Sequence, residues 1–452
     1  MRTRTGAVDA YISGGMAQWM SELAEFCAFP SVGDRSEAMY AAAQWLVRRL
    51  AAAGLAARLL AVTDGFPAVY AEAPGRSPRT VLFFNHYDIA AYTHPLPRDL
   101  LQVPVRLAAD RLFARGVADD KGCCFSRIVA VEALLRTHGR LPVGVKFLIL
   151  GKRVPNDPCL DDVLARYPEV LACDAVIWET GAKDERDRPT ASLGAKGYLY
   201  VELVVRNPAG AQPSRISILP NPAWDLVWAL STLKGPDERI RVPGFYDDVL
   251  PPTPADLEVL AVLGEDLDER VARRMGAPRF VLGCRGLEAA RRWFFEPSCT
   301  VCGLVGGETG SEERLVIPAE ARAKVEFRLV ARQDPADIAR KVRAHLDREG
   351  FGHVEMVVRS QTTPYRTPAN DPLVRAAQRA ALQVYGQPLV IRPTSVGMSP
   401  KYRFAPRPTL GIGVEYAGSA MEMPDEHIRL EDWEQGARMV AAVLEAYAEE
   451  SG

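Results

Sequence analysis

The sequence predicts an α/β protein, a doubly wound sheet into which a smaller α+β domain is inserted. Three observations carry this. Short apolar runs of strand length alternate with segments whose apolar residues recur at helical spacing. That alternation changes character past Gly197 and resumes near Pro368. The chain also has 452 residues, more than one core usually supports.

In chain order, Met39, Ala43, Leu46 and Leu50 share a helical face, and Gly54 stops that helix. The run Val81 to Phe84 is a buried strand ended by the polar group Asn85-His86-Tyr87-Asp88. A helix follows Lys121-Gly122 to about Leu135, then a strand over 145–150, and another over 174–179 after a loop containing Pro155 and Pro158. The polar clusters therefore fall at the carboxyl ends of strands, where sheets of this kind bind ligands. Past Gly197 a strand over 198–206 has period two, Asn221-Pro222 starts a helix, and Gly235-Pro236 ends it. A strand over 321–330 and a helix capped by Asp334-Pro335 repeat the order, while Pro251 to Pro254 reads as an insertion within this domain. The predicted domains are 1–195 with 364–452, closing in an amphipathic helix over 430–447, and an inserted 196–363.

Charge narrows the partners. With 55 Lys and Arg against 57 Asp and Glu, no long-range field draws the chain to nucleic acid or an anionic membrane. The start, Met-Arg-Thr-Arg-Thr-Gly, leads into a polar stretch without a signal-type apolar region, and no apolar run approaches a membrane span. Eight scattered cysteines are not a disulfide scaffold, so the expectation is a cytoplasmic protein with reduced thiols.

His86 and Asp88 stand two residues apart, on one side of an extended chain. They read either as a metal ligand with its orienting carboxylate or as a strand-end histidine in a solvated loop. The glycine-flanked acidic pair in Arg115 to Gly122 is either a ligand source or simple helix capping. Glu179 ends a third apolar strand. One imidazole with two carboxylates is a zinc-type ligand set. Cys299 and Cys302 have CxxC spacing inside an apolar strand-like run and read as core thiols. Cys123 and Cys124 read as packing residues, and His427 as a surface histidine.

Beyond these residues, the chain resembles the carnosinase, carboxypeptidase G and aminoacylase type of zinc-dependent metallopeptidase. The likeness rests on Asn85-His86-Tyr87-Asp88, Arg115 to Gly122, Gly244 to Val249, Ile317 to Ala321, Phe327 to Val330 and Pro424-Asp425-Glu426. It implies a catalytic domain with two bridged metal ions, an inserted lid that often dimerises, and hydrolysis of dipeptides or N-acyl amino acids. It also implies roles: His86 as first ligand, Asp88 as its orienting carboxylate, Asp119 as bridging ligand and Glu179 as the second acidic ligand. Arg328 matches an arginine that contacts the substrate carboxylate, and Gly397-Met398-Ser399 the loop binding the same group.

The match then fails at specific places. Where the family has a Glu-Glu pair, general base and ligand, this chain has Arg153 and Val154. The last ligand, a histidine in the family, is Glu422 here, and the lid histidine expected near Ala211 is missing. Valine offers no donor electrons, so one ion per chain is expected, zinc or another divalent metal. Losing a general base costs about a hundred- to ten-thousand-fold in rate. Arg153 is always charged and stands either in place of the missing cation, as a clamp for a substrate carboxylate, or as a salt-bridged loop residue.

Three functions remain open: an amidohydrolase acting weakly on a small carboxylate-bearing or peptide-like substrate, the same fold turned to a non-hydrolytic biosynthetic reaction, and a silent ligand-binding or scaffold protein. A homodimer through the lid is the expected assembly.

Overall fold

A computed structural model describes residues 2–32, 35–89, 104–151, 158–276, 280–307, 310–311, 314–395, 397 and 399–450. They form two compact units. The first comprises Met1–Gly194, Thr367–Pro393 and Arg403–Gly452, and the second Ala195–Arg366 with Thr394–Tyr402.

The first unit is built on a sheet of eight strands among the described residues, in the order Ala56–Leu60, Ala68–Ala73, Gly144–Leu150, Thr80–His86, Ala175–Trp178, Thr409–Gly411, Thr190–Ser192, Val390–Arg392. Its centre is parallel. Central parallel strands are covered on both faces and read as near-continuous apolar runs, and every residue of Gly144–Leu150 is buried. Parallel register decides what meets at the strand ends. Phe83 lies opposite Ile177 and His86 opposite Leu150, so His86 and Glu179 leave the sheet at one edge. One face packs Phe84 against Trp178, with ring centroids 4.2 Å apart, and both against Phe404.

The helix Gly122–His138 is buried all round as far as Leu134, which explains its lack of a polar stripe. It packs with the closing helix Leu430–Glu449 and the first helix, Arg2–Gly14. The N-terminal stretch, read from sequence only as polar, is thus helical, and continues as Met16–Ala28. Gly6, Gly14 and Gly15 hide the pattern in the sequence, but Val8, Ile12, Trp19, Leu23 and Phe26 are all buried.

The second unit carries an antiparallel sheet in the order Ser298–Gly306, Glu320–Leu329, Gly197–Arg206, Glu355–Thr362. Along Glu320–Leu329 the buried residues are Ala321, Ala323, Val325, Phe327 and Leu329, the period of two expected of a strand with one covered face. The covering helices are Pro222–Leu233 and Pro335–Arg348, capped by the side chains of Asn221 and Asp334 with proline at the next position. Pro251 to Pro254 lies inside this unit and leads into the helix Pro254–Gly264, where Thr253 and Asp256 form a reciprocal capping box. Two further helices, Leu267–Met275 and Gly286–Phe295, follow. The outer strand Ser298–Gly306 leaves Val301, Leu304 and Val305 exposed. Among the described residues, no helix is long and apolar enough to cross a membrane.

Candidate metal centre

The site begins with Arg127, a buried guanidinium on the helix Gly122–His138. It donates to the carbonyls of Phe84, Trp178 and Ile412 and to Asn85 Oδ1, tying together the ends of three strands. Asn85 Nδ2 in turn donates to Asp120 Oδ2 at 2.6 Å, and the His86 backbone N–H donates to the same oxygen at 3.1 Å. Asp120 Oδ1 is buried and has no hydrogen-bond partner among the described residues.

The loop bearing Asp119 and Asp120 is shaped from the far end of the chain. Glu426 accepts the backbone N–H groups of Gly116, Ala118 and Asp119 at 2.9 to 3.1 Å and pairs with Arg115. Gly122 closes the loop because a Cβ there would stand 2.2 Å from the Val117 carbonyl oxygen. The acidic pair therefore does not cap the helix with its side chains.

His86 is almost fully buried. A carboxylate can only accept, so the 3.0 Å contact with Asp88 Oδ1 places the imidazole proton on Nδ1. Nε2 faces Asp119 Oδ1 at 3.3 Å and Glu179 Oε2 at 3.8 Å, donating a proton to them while the ring is charged and offering its lone pair once the ring is neutral. This is the orientation a metal-ligating histidine takes when a carboxylate holds its other nitrogen. Glu179 Oε2 is buried, again without a hydrogen-bond partner among the described residues. The next residue, Thr180, has φ 55°, a left-handed conformation that β-branched residues rarely adopt. The Gly181 N–H, which donates to Glu415 Oε2 at 2.9 Å, helps hold that turn.

The residues whose ligand atoms all lie within 4.8 Å of one another are His86, Asp120 and Glu179. Asp120, which the sequence reading did not single out, thus joins His86 and Glu179, while Asp119 contacts the same imidazole nitrogen from beside them. Burial opposes charge on His86, yet its bond to Asp88 and the nearby Glu179 and Asp120 carboxylates push it up to about 9. Burial pushes Asp120 up to about 6. So much acid around one imidazole, with two buried oxygens lacking donors, is the environment a divalent cation would neutralise. One nitrogen and two carboxylate donors suit zinc or a similar ion.

The other expected residues fall elsewhere. Glu422 is half-buried in the turn before Glu426, at φ 61°, outside that trio. Arg153 and Val154 lie outside the described residues. Arg328 belongs to the second unit, where it pairs with Glu326 at 3.0 Å. Gly397 and Ser399 are in the second unit's 394–402 segment. Gly397 is exposed and accepts a bond from Ser395 Oγ, and the buried Ser399 Oγ has no partner among the described residues.

Two minor expectations are corrected. His427 is not on the surface: it lies on a strand paired with Phe113, and its two ring nitrogens engage Tyr416 Oη and the Asp425 carbonyl. Only Cys299 of the CxxC pair is buried. Cys302 is exposed, and it sits where the pairing with Glu320–Leu329 is interrupted between Val301 and Gly303. Arg127 and Glu415 were missed, while Asp120 was read only as one of an acidic pair and Asn85 only as part of the strand-end polar group. The one signal for Arg127 and Glu415 was charge inside an otherwise apolar segment.

Comparison with known proteins bears on the same residues. The family model described as Peptidase family M20/M25/M40 matches residues 82–446, which include every member of the trio. The chain belongs to this peptidase family. A solved M20 family metallo-carboxypeptidase from Sulfolobus solfataricus is 30% identical, superposes with a TM-score of 0.81, and is covered over 99% of its length by 95% of this chain. The human Beta-Ala-His dipeptidase is 26% identical over 328 residues, 69% of this chain and 63% of the relative. The Cys-Gly metallodipeptidase of Schizosaccharomyces pombe is 28% identical over 284 residues, 60% of this chain and 57% of the relative. These matches span somewhat less than two thirds of either relative. The alternation of strand and helix read from sequence agrees with the mixed α/β architecture of the solved family members.

Proposed function

We propose that this chain is a metal-dependent amidohydrolase-type protein acting on a small, carboxylate-bearing peptide-like or N-acyl substrate, with one divalent ion and weak ordinary dipeptide hydrolysis. The observation that carries the reading is the convergence of His86, Asp120 and Glu179 within 4.8 Å, with Asp119 alongside. Zinc is the ion the donor set favours. The dipeptidase names of the curated relatives support the substrate class.

A divalent cation bound there would polarise the scissile carbonyl and acidify a water. The chain's own residues do the rest. Asp88 holds the His86 proton on Nδ1, keeping Nε2 a donor of electrons. Asn85 and the His86 N–H occupy one oxygen of Asp120 and leave the other for a ligand. The proton acceptor is what this chain lacks. After the strand Gly144–Leu150 the family's Glu-Glu position holds Arg153 and Val154, a change worth about two to four orders of magnitude in rate. Arg153 supplies a permanent positive charge in that place, and Asp119 with Glu422 would be too few donors to hold a second ion tightly.

The reading extends to a cytoplasmic homodimer joined through the 196–363 insert. All eight cysteines are free thiols, and exposed Val301, Leu304 and Val305 on an outer strand offer an unpaired apolar edge. Light scattering of Val305→Lys protein would report a monomer.

Metal content of purified protein is the primary test. About one zinc per chain, lost in His86→Ala, supports the reading. Two per chain overturns the single-ion claim, and none overturns the metal site and favours a silent binding protein.

A further inference from the structure

The strand end that carries His86 and Asp88 and the loop that carries Asp119 and Asp120 come from separate parts of the chain, and a third stretch is bonded to both. Residues 29–32 follow the helix Met16–Ala28, whose end leaves its last carbonyls without helical partners. Ser31 Oγ donates to the Tyr87 carbonyl at 2.6 Å, and the Ser31 carbonyl accepts the Ile89 N–H at 2.9 Å. The residues on either side of Asp88 are thereby pinned to one serine. From the loop, Lys121 Nζ donates to the Phe26 and Phe29 carbonyls at 3.1 and 2.8 Å and stands 5.1 Å from the centre of the Phe26 ring. Ile89 closes the ring of contacts: a Cβ on Gly116, at φ 78°, would lie 2.4 Å from Ile89 Cγ2.

Ser31 and Lys121 are both completely buried. A buried ammonium is costly unless its protons are taken up, and here two go to carbonyls at a helix carboxyl end, where positive charge is favoured. Neither residue belongs to the trio of His86, Asp120 and Glu179. What each controls is a neighbour of a ligand or of its orienting group. Tyr87 and Ile89 flank Asp88, whose carboxylate fixes the His86 tautomer, and Lys121 directly follows Asp120. A displacement of residues 29–32 would move the imidazole and the Asp120 carboxylate relative to each other.

We propose that Ser31 and Lys121 are positioning residues for the metal centre: through residues 29–32 they set the spacing between His86 and Asp120, so that the ion meets a preformed site. The inference rests on the proposed metal site and deepens it, assigning its support to the end of the helix Met16–Ala28, which carries none of the trio. Supports of this kind are worth about ten- to a hundredfold in metal affinity.

The test is the zinc affinity of the full-length protein by chelator competition, alongside the urea midpoint of the metal-free protein and the visible spectrum of its cobalt form. Ser31→Ala, the loss of one hydroxyl, should weaken zinc about tenfold or more and shift the cobalt bands, which report coordination geometry. Lys121→Met should weaken zinc by a similar factor, and the double variant by less than the product of the two, because both act through one stretch. If Lys121→Met does not fold, Ser31→Ala decides alone. Val443→Ala, which opens a cavity beside the closing helix, controls for lost stability and should leave zinc affinity within about twofold of the parent. Zinc affinity and cobalt bands unchanged in Ser31→Ala, strictly multiplicative losses, or a loss of affinity that Val443→Ala reproduces, overturns the proposal while the metal site stands. A parent that binds neither ion overturns the metal site and this inference with it. Weakened binding in the variants of a protein without turnover sinks the hydrolase reading alone.

Discussion

Arg115 and Glu426, 311 positions apart in the chain, meet in a buried ion pair of 3.0 Å. The same carboxylate gathers three backbone N–H groups of the loop that carries Asp119 and Asp120. Removing it takes away an acceptor shared by a buried guanidinium and three loop amides. Glu426→Ala should therefore lower unfolding free energy by about 3–5 kcal/mol and abolish metal binding. Glu426→Gln, which keeps the acceptor oxygen, should cost less. Urea denaturation with zinc analysis decides; an alanine variant within about 1 kcal/mol of the parent and still metal-loaded would show that the loop holds itself.

Metal affinity should depend steeply on pH. In the cation-free protein His86 is pushed up to about 9 and Asp120 up to about 6, so an incoming cation must displace the His86 proton below about 9 and the Asp120 proton as well below about 6. Affinity should thus rise about tenfold per pH unit between roughly 6 and 9, and about a hundredfold per unit below that. Competition against a chelator of known affinity measures the slope. A flat profile across this window is incompatible with coordination through His86. For the metal-free protein the raised His86 value has the opposite consequence: its stabilising share is complete below about 6.5 and lost as pH climbs through about 9.

Glu415 is a buried acid that burial pushes up to about 8. Because its folded value lies above its unfolded one, the stability it contributes is present below about 4.5 and declines by up to about 1.4 kcal/mol per unit as pH rises to about 8. Glu415→Gln preserves an acceptor for the Gly181 N–H and removes the titration. Melting temperatures of variant and parent should be similar at pH 4.5 to 5 and diverge toward pH 9, with the variant more stable. Parallel curves would mean that Glu415 is ionised at neutral pH.

Restoring the family's acids tests the proposal that ordinary dipeptide hydrolysis is weak here and that the residues at 153 and 154 are the cause. Arg153→Glu with Val154→Glu and Glu422→His should raise dipeptide turnover about a hundredfold or more, the usual contribution of a general base. If zinc loading rises to two while turnover stays at the parent's level, loss of the base and second ion is not what limits the reaction.

Much of the fold was legible in local pattern. Met39 to Leu50 at helical spacing became the helix Ser36–Ala52, and the capping prolines after Asn221 and Asp334 marked helix starts within a residue. His86 and Asp88 could be read as partners because residues two apart on an extended chain share a side. The N-terminal helices could not, since glycines dilute their pattern and their apolar residues find partners on helices distant in sequence, such as Gly122–His138 and Leu430–Glu449.

What the amino-acid order settled by itself was the alternation of strand and helix and the polar residues waiting at strand ends. Those follow from spacing and side-chain chemistry, which act between near neighbours. Only the tertiary structure decided that Asp120 joins His86 and Glu179, because that depends on a loop held by Glu426 from more than 300 positions away. It alone also bonded Ser31 to Tyr87 and Lys121 to Phe29, since those contacts cross 56 and 92 positions, which no local pattern encodes.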